Sequence, residues 1–170
     1  MNGVNYYSPN EIERVFFNAS QHQNSIYVQF ILLWASFNSR IARDSKEIRD
    51  TDMLRWVKEK DPRYRGRFQA LMTDDIEFQT FFNRLRSIRV INFQEIKRQL
   101  KAEREDRQRK KQPTYKKINR TREFSSLIDM IYLVRCNLVH GSKNIEQSME
   151  LGLIELCYNI MLKLYREDVL

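Results

Sequence analysis

The sequence predicts an all-α fold, a compact up-and-down helical bundle with a projecting basic helical arm or loop. Three observations lead there. Apolar residues recur at steps of three and four along several long segments. Glycine and proline are scarce, at 4 and 3 in 170 residues, which disfavours a turn-rich β architecture. No stretch shows apolar–polar alternation long enough to argue for a sheet. With 42% apolar residues, a chain of this length buries a sizeable core. We read 1–170 as a single domain carrying a basic insertion at about 97–122.

The elements follow in order. Ser8-Pro9-Asn10-Glu11 is a helix start, with Ser8 as cap, Pro9 at the first helical position and Glu11 closing a capping box. The first helix runs to about Gln21, with Ile12, Val15 and Phe16 expected on its buried face. A second helix spans about Asn24 to Arg43, striped by Ile26, Phe30, Leu33, Phe37 and Ile41. A short helix over Thr51–Lys60 carries Met53, Leu54 and Val57. Asp61-Pro62 restarts the chain as cap and first position. Thr73-Asp74-Asp75 caps a segment with Phe78, Phe81, Phe82 and Leu85. A helix from Asn92 runs into the basic stretch and stops before Pro113. Apolar character returns at Phe124, and Phe124, Leu127, Ile128, Ile131 and Leu138 form the next stripe. The last helix, about Asn144 to Arg166, is striped by Ile145, Met149, Leu153, Leu156, Ile160 and Leu164.

Charge is distributed unevenly. The net charge is +8, from 30 Lys/Arg and 22 Asp/Glu. Between Lys97 and Arg122 lie 12 of those basic and 3 of those acidic residues, which leaves 18 basic and 19 acidic elsewhere. The whole basic excess therefore sits in one segment, the footprint expected of a polyanion partner. The cations are Lys97, Arg98, Lys101, Arg104, Arg107, Arg109, Lys110, Lys111, Lys116, Lys117, Arg120 and Arg122. A solvated hairpin tip has the same composition.

Several classes of function find no support in the residues. No run approaches the length of a membrane span, and no basic-then-apolar leader opens the chain, so a cytoplasmic protein without a membrane partner is expected. Cys136 and Cys157 both lie in apolar helical context and read as buried thiols in a reducing compartment. Two cysteines and two histidines, all scattered, do not make a zinc site, and no metal or other cofactor is expected. Asp74-Asp75 and Glu103-Glu105-Asp106 read as caps and salt-bridge partners. His22 lies in the polar turn Gln21-His22-Gln23-Asn24. Trp34 and Phe37 belong to an apolar stripe and read as core.

The run Arg135-Cys136-Asn137-Leu138-Val139-His140-Gly141 carries the chemistry. Arginine binds phosphate through a planar, permanently charged fork. Histidine exchanges a proton near neutral pH. Together they supply a proton carrier and a charge stabiliser for phosphodiester cleavage without a metal. In a regular helix Arg135 and His140 lie about 140° apart. Three routes bring them together: unwinding before Gly141, wrapping of the long arginine side chain, or a second copy of the chain related by a two-fold axis. The residues also admit a structural reading, in which Arg135 is paired with a carboxylate and His140 is a polar helix end.

Tyr132-Leu133-Val134-Arg135-Cys136-Asn137-Leu138-Val139-His140-Gly141 resembles the R-x4-6-H signature of the HEPN superfamily (higher eukaryotes and prokaryotes nucleotide-binding domains). In that family the motif closes a late helix and is followed by a last one. Leu33-Trp34-Ala35-Ser36-Phe37-Asn38 is similar to the aromatic-small-x-aromatic-Asn run on an early HEPN helix that packs near the motif. The resemblance implies a helical bundle that dimerises with its motifs facing each other. For many members it also implies metal-independent endoribonuclease activity, in toxins or defence effectors, at times restrained by an inhibitory or antitoxin protein. Arg135 and His140 map onto the two defining positions. Asn137 is expected to orient phosphate or imidazole, with Asn38 in support. Cys136 stands where many members have a polar residue, and Ser142 where one toxin subgroup has a tyrosine. Regulation through that tyrosine is therefore not implied. The alternative is a non-catalytic HEPN-like module for dimerisation and for binding nucleic acid or nucleotide. An adaptor docking its basic arm on an acidic protein is a third reading.

Overall fold

The computed structural model describes residues 9–92, 95, 115–139 and 148–166, with the backbone alone at 9–10 and 148–150. Among them are seven helices: α1 (Pro9–Gln21), α2 (Ile26–Ser45), α3 (Asp50–Glu59), α4 (Pro62–Asp74), α5 (Ile76–Ser87), α6 (Glu123–Val139) and α7 (Ser148–Tyr165). The all-α expectation therefore holds, with one small addition. Strands β1 (Val90–Ile91) and β2 (Tyr115–Lys116) form an antiparallel ladder in which Val90 faces Lys116 and Ile91 faces Tyr115. The sequence reading found no sheet because two residues per strand give no alternation to detect. The ladder marks where the chain leaves for, and returns from, most of the basic segment.

The capping logic is visible at two helix starts. Asp61 accepts a hydrogen bond from the Arg63 amide at 3.0 Å, with Pro62 opening α4. Asp75 accepts from the Phe78 amide at 2.8 Å and opens α5. Each satisfies an amide that a helix start leaves without an intrahelical partner. Ser8, Pro113 and most of the helix expected from Asn92 lie outside the described residues. Asn92 Oδ1 does accept from the Glu95 amide at 3.1 Å, as a helix cap would. Helix α2 ends at Lys46, whose φ of 60° places it in the left-handed region. Its amide closes on the Ala42 carbonyl, the usual way of ending a helix there.

Helix α2 runs between α1 and α7, while α6 packs on α3, α7 and β1. Phe30, Leu33, Phe37 and Ile41 of the expected α2 stripe are buried, and Ile26 is half-buried. The α6 stripe is buried throughout, and so are Leu153, Leu156, Ile160 and Leu164 of α7. Aromatic rings bridge the layers. Phe37 meets Tyr64 and Tyr165 edge-on, and Phe68 meets Phe78 and Phe82 in the same way.

Helix α1 corrects the sequence reading. Its buried face is Glu13, Phe17 and Ser20, while Ile12 and Val15 are exposed and Phe16 is half-buried. The reason is a polar knot. Glu13 is 3% exposed, receives Arg43 Nη1 at 2.7 Å and accepts the Tyr165 hydroxyl at 2.8 Å. Ser36 donates to the Glu13 carbonyl oxygen at 2.8 Å. A buried carboxylate persists only when paired and hydrogen-bonded, and these partners rotate α1 away from its apolar residues.

Candidate functional site

Arg135 sits on α6, one turn before the helix ends, and its side chain is 24% exposed. Its Nη1 lies 3.5 Å from Asp50 Oδ2. Asp50 opens α3 and also accepts Asn38 Nδ2 on Oδ1 at 3.3 Å. One carboxylate thus connects Arg135 of α6 with Asn38 of α2. A second tie between α3 and α6, Lys58 to Asp129 at 2.8 Å, lies further along the same pair of helices. Asn38 Oδ1 is buried without a hydrogen-bond partner among the described residues.

Tyr132 lies beside this group. Its ring packs on Trp34 with centroids 5.8 Å apart. Burial pushes its hydroxyl up to about 12, the Cys136 thiol and the Asp50 charge push in the same direction, and Arg135 opposes them. The Tyr132 phenol is therefore neutral at physiological pH. Cys136 is 2% exposed, as expected for a packed thiol.

Asn137 goes the other way. Two residues beyond Arg135 means a rotation of about 200° on a helix, and Asn137 faces the ladder. It is 1% exposed and its Nδ2 donates to the Ile91 carbonyl at 2.8 Å. Its Oδ1 has no partner among the described residues. Arg135 and Asn38 thus converge on Asp50, whereas Asn137 holds β1. His140 and Gly141 lie outside the described residues.

Of the basic segment, Lys116, Lys117, Arg120 and Arg122 are described, and all four are exposed. Asn119 Oδ1 accepts the Thr121 amide and hydroxyl, both at 2.9 Å, and so shapes the turn that carries Arg120 and Arg122 into α6. Lys97, Arg98, Lys101, Arg104, Arg107, Arg109, Lys110 and Lys111 lie outside the described residues. A wide surface groove of about 810 Å³ runs along α4, lined by Arg63, Gly66, Arg67, Leu71 and Asp74 among others. It shares no residue with the Arg135 group, and its cations are engaged: Arg63 with Asp61 and Asp44, Arg67 with the Leu164 carbonyl.

The residue that sequence reasoning missed is Asp50. Its only local signal is an acidic residue in the first turn of a helix, which the helix dipole explains by itself. Its pairing with residues 12 and 85 positions away is a tertiary fact that no local pattern carries. Among the described residues no group of three or more His, Cys, Asp or Glu could hold a metal ion, and no helix is long and apolar enough to cross a membrane. No family model, curated protein or solved structure matches this chain.

Proposed function

We propose that the chain is a metal-independent endoribonuclease of the HEPN type. In this reading it is an up-and-down bundle with a projecting basic arm, paired about a two-fold axis so that two motifs share one cleft. The RNA 2′-hydroxyl attacks the adjacent phosphorus. The bond to the 5′-oxygen breaks, leaving a 2′,3′-cyclic phosphate on one product and a 5′-hydroxyl on the other. His140 accepts the proton of the attacking hydroxyl, and its counterpart in the second copy delivers one to the leaving oxygen. Arg135 stabilises the charge that accumulates on the phosphoryl oxygens. The basic segment holds the RNA backbone through counterion release, giving affinity with little sequence preference. Cytoplasmic RNA is the substrate class, and an inhibitory partner protein would restrain the activity.

The observation that supports this reading is the convergence of Arg135 and Asn38 on Asp50. Two sequence elements that resemble separate parts of one family site are neighbours in space. The test is cleavage of labelled single-stranded RNA in EDTA by wild type, Arg135→Ala and His140→Ala. Cleavage by wild type alone, with cyclic-phosphate ends, is the expected result; 3′-hydroxyl ends would sink the mechanism.

One observation favours the second reading, a non-catalytic binding module: Arg135 already has a carboxylate partner, as structural arginines do. A folded, dimeric wild type that binds RNA and leaves it intact would select that reading.

A further inference from the structure

Asp50 lies outside the motif, yet it touches both residues that the motif reading brings together. Its Oδ1 accepts from Asn38 at 3.3 Å and its Oδ2 faces Arg135 at 3.5 Å. The carboxylate is carried on a rigid element. It begins α3, whose Met53, Leu54 and Val57 are buried, and the Lys58–Asp129 pair ties that helix to α6.

The contact has an unusual balance. An arginine has five N–H donors in a planar fork, and a carboxylate that takes it fully does so through two parallel bonds. Here a single nitrogen meets a single oxygen, at a distance longer than a charge-assisted hydrogen bond, and both side chains are partly exposed, at 24% and 31%. A pair of that kind is weak. Among the described residues it steers the guanidinium without committing its whole fork, which leaves donors for a phosphate to take.

The geometry points to Asp50 as a positioning residue for Arg135. It fixes one edge of the guanidinium through a carboxylate anchored by Asn38, while its negative charge opposes the incoming phosphate. This inference rests on Arg135 being the phosphate-binding group. It has a distinctive consequence: loss of the Asp50 charge tightens RNA binding while slowing cleavage, whereas general damage to the fold weakens both.

Asp52 provides the comparison. It is also acidic, lies in the same first turn of α3 and is 31% exposed, but its partner is Arg55 at 3.4 Å. Asp50→Asn and Asp52→Asn therefore remove the same charge from the same helix start.

The experiment has a binding arm and a cleavage arm. Binding is read by fluorescence anisotropy on a labelled RNA that is 2′-O-methylated throughout and so lacks the attacking hydroxyl. Asp50→Asn tightens binding by roughly threefold or more, as removal of a nearby opposing charge should, and Asp52→Asn does so far less. In an Arg135→Ala background the Asp50→Asn gain is clearly smaller, because the part that comes from releasing that guanidinium is lost and only the direct repulsion remains. On unmodified RNA, Asp50→Asn lowers kcat by about tenfold or more through loss of orientation.

Equal binding gains in the presence and absence of Arg135, or indistinguishable Asp50→Asn and Asp52→Asn proteins, overturn the proposal. If wild type binds RNA but does not cut it, the endoribonuclease reading fails and the binding cycle alone decides the role of Asp50. Should Asp50→Asn not fold, Asp50→Glu keeps the charge and moves the carboxylate by one methylene. Reduced kcat with unchanged binding is then expected, and an unchanged kcat overturns the assignment.

Discussion

Asn137 Nδ2 donates to the Ile91 carbonyl at 2.8 Å, which joins the helix bearing Arg135 to the strand from which the basic segment departs. Asn137 is 1% exposed, so water cannot replace the bond without opening the structure. Asn137→Ala removes the donor and leaves the Ile91 carbonyl without it. We expect a loss of about 1–3 kcal/mol of folding stability, the usual cost of stranding a buried polar group. Urea denaturation measures it, and amide exchange at Tyr115 and Lys116 should accelerate as the ladder loosens. An unchanged midpoint with unchanged exchange would show that the bond contributes nothing.

The polar knot around Glu13 predicts an order of effects. Glu13 receives Arg43 at 2.7 Å, Arg40 at 3.4 Å and the Tyr165 hydroxyl at 2.8 Å. Glu13→Gln breaks a buried ion pair, a change that commonly costs about 3–5 kcal/mol. The figure should fall toward the low end here, because Arg40 and Arg43 are 20% and 28% exposed and both retain Asp44. Tyr165→Phe leaves the ion pairs intact and loses the hydroxyl's hydrogen bond to a charged group, about 1.5–3 kcal/mol, together with its contacts to the Ser36 hydroxyl at 3.0 Å and carbonyl at 3.1 Å. The double variant should cost less than the sum, since both changes act on one network. Chemical denaturation of the four proteins gives the cycle directly, and strict additivity would refute the coupling.

The same knot shows where the sequence is and is not legible. The stripes of α2, α6 and α7 could be read directly because a helix buried on a wide face must be apolar there. The Asp61 and Asp75 caps were legible because a cap is a local bond between neighbours in the chain. Helix α1 was misread because pattern reading treats Glu13 as solvent-facing, and only tertiary partners make its burial tolerable. The candidate site divides in the same way. Arg135 and Asn38 could be picked out as residue types in recognisable runs. Asp50 could not, because its significance lies in contacts across three helices. The ladder was invisible because a two-residue strand has no period.

Stability should fall on both sides of neutrality, with different groups responsible. Burial raises the phenols of Tyr165, Tyr158 and Tyr132, the last to about 12. A raised folded-state pKa means that the native state keeps a proton which the unfolded chain releases. The stability tied to Tyr132 is complete below pH 10, the ordinary tyrosine value, and is lost as pH rises through about 12, and Tyr158 and Tyr165 act in the same direction. On the acid side, burial pushes the Asp44 carboxyl up, but hydrogen bonds from Arg63 and Arg40 outweigh it. Asp75 is lowered by Lys163 and by the Phe78 amide. Both lie below the ordinary 3.8, so their contribution is present above that value and is lost as pH falls through the folded-state pKa values. Thermal unfolding across pH maps both limbs. Tyr132→Phe should flatten part of the alkaline limb and leave the acid limb alone, and an alkaline limb identical to wild type would rule out Tyr132 as a contributor.

RNA binding should depend on salt in a way that locates its contacts. Lys116, Lys117, Arg120 and Arg122 are exposed along the ladder and the turn into α6, and Asn137 fixes that ladder to the helix of Arg135. A cation that neutralises a phosphate releases a counterion, and for single strands each such contact adds about 0.7 to the slope of log affinity against log salt. Replacing all four by alanine should therefore reduce the slope by up to roughly 3, with weakening that is uniform across sequences. Arg86 offers a contrast on the same side of the fold, because its guanidinium is engaged by Glu123 at 2.8 Å. Arg86→Ala should leave the slope nearly unchanged. Anisotropy titrations at several salt concentrations decide the matter. If the quadruple variant keeps the wild-type slope, the described cations do not contact the RNA backbone, and the electrostatic footprint must then be sought among Lys97 to Lys111 alone.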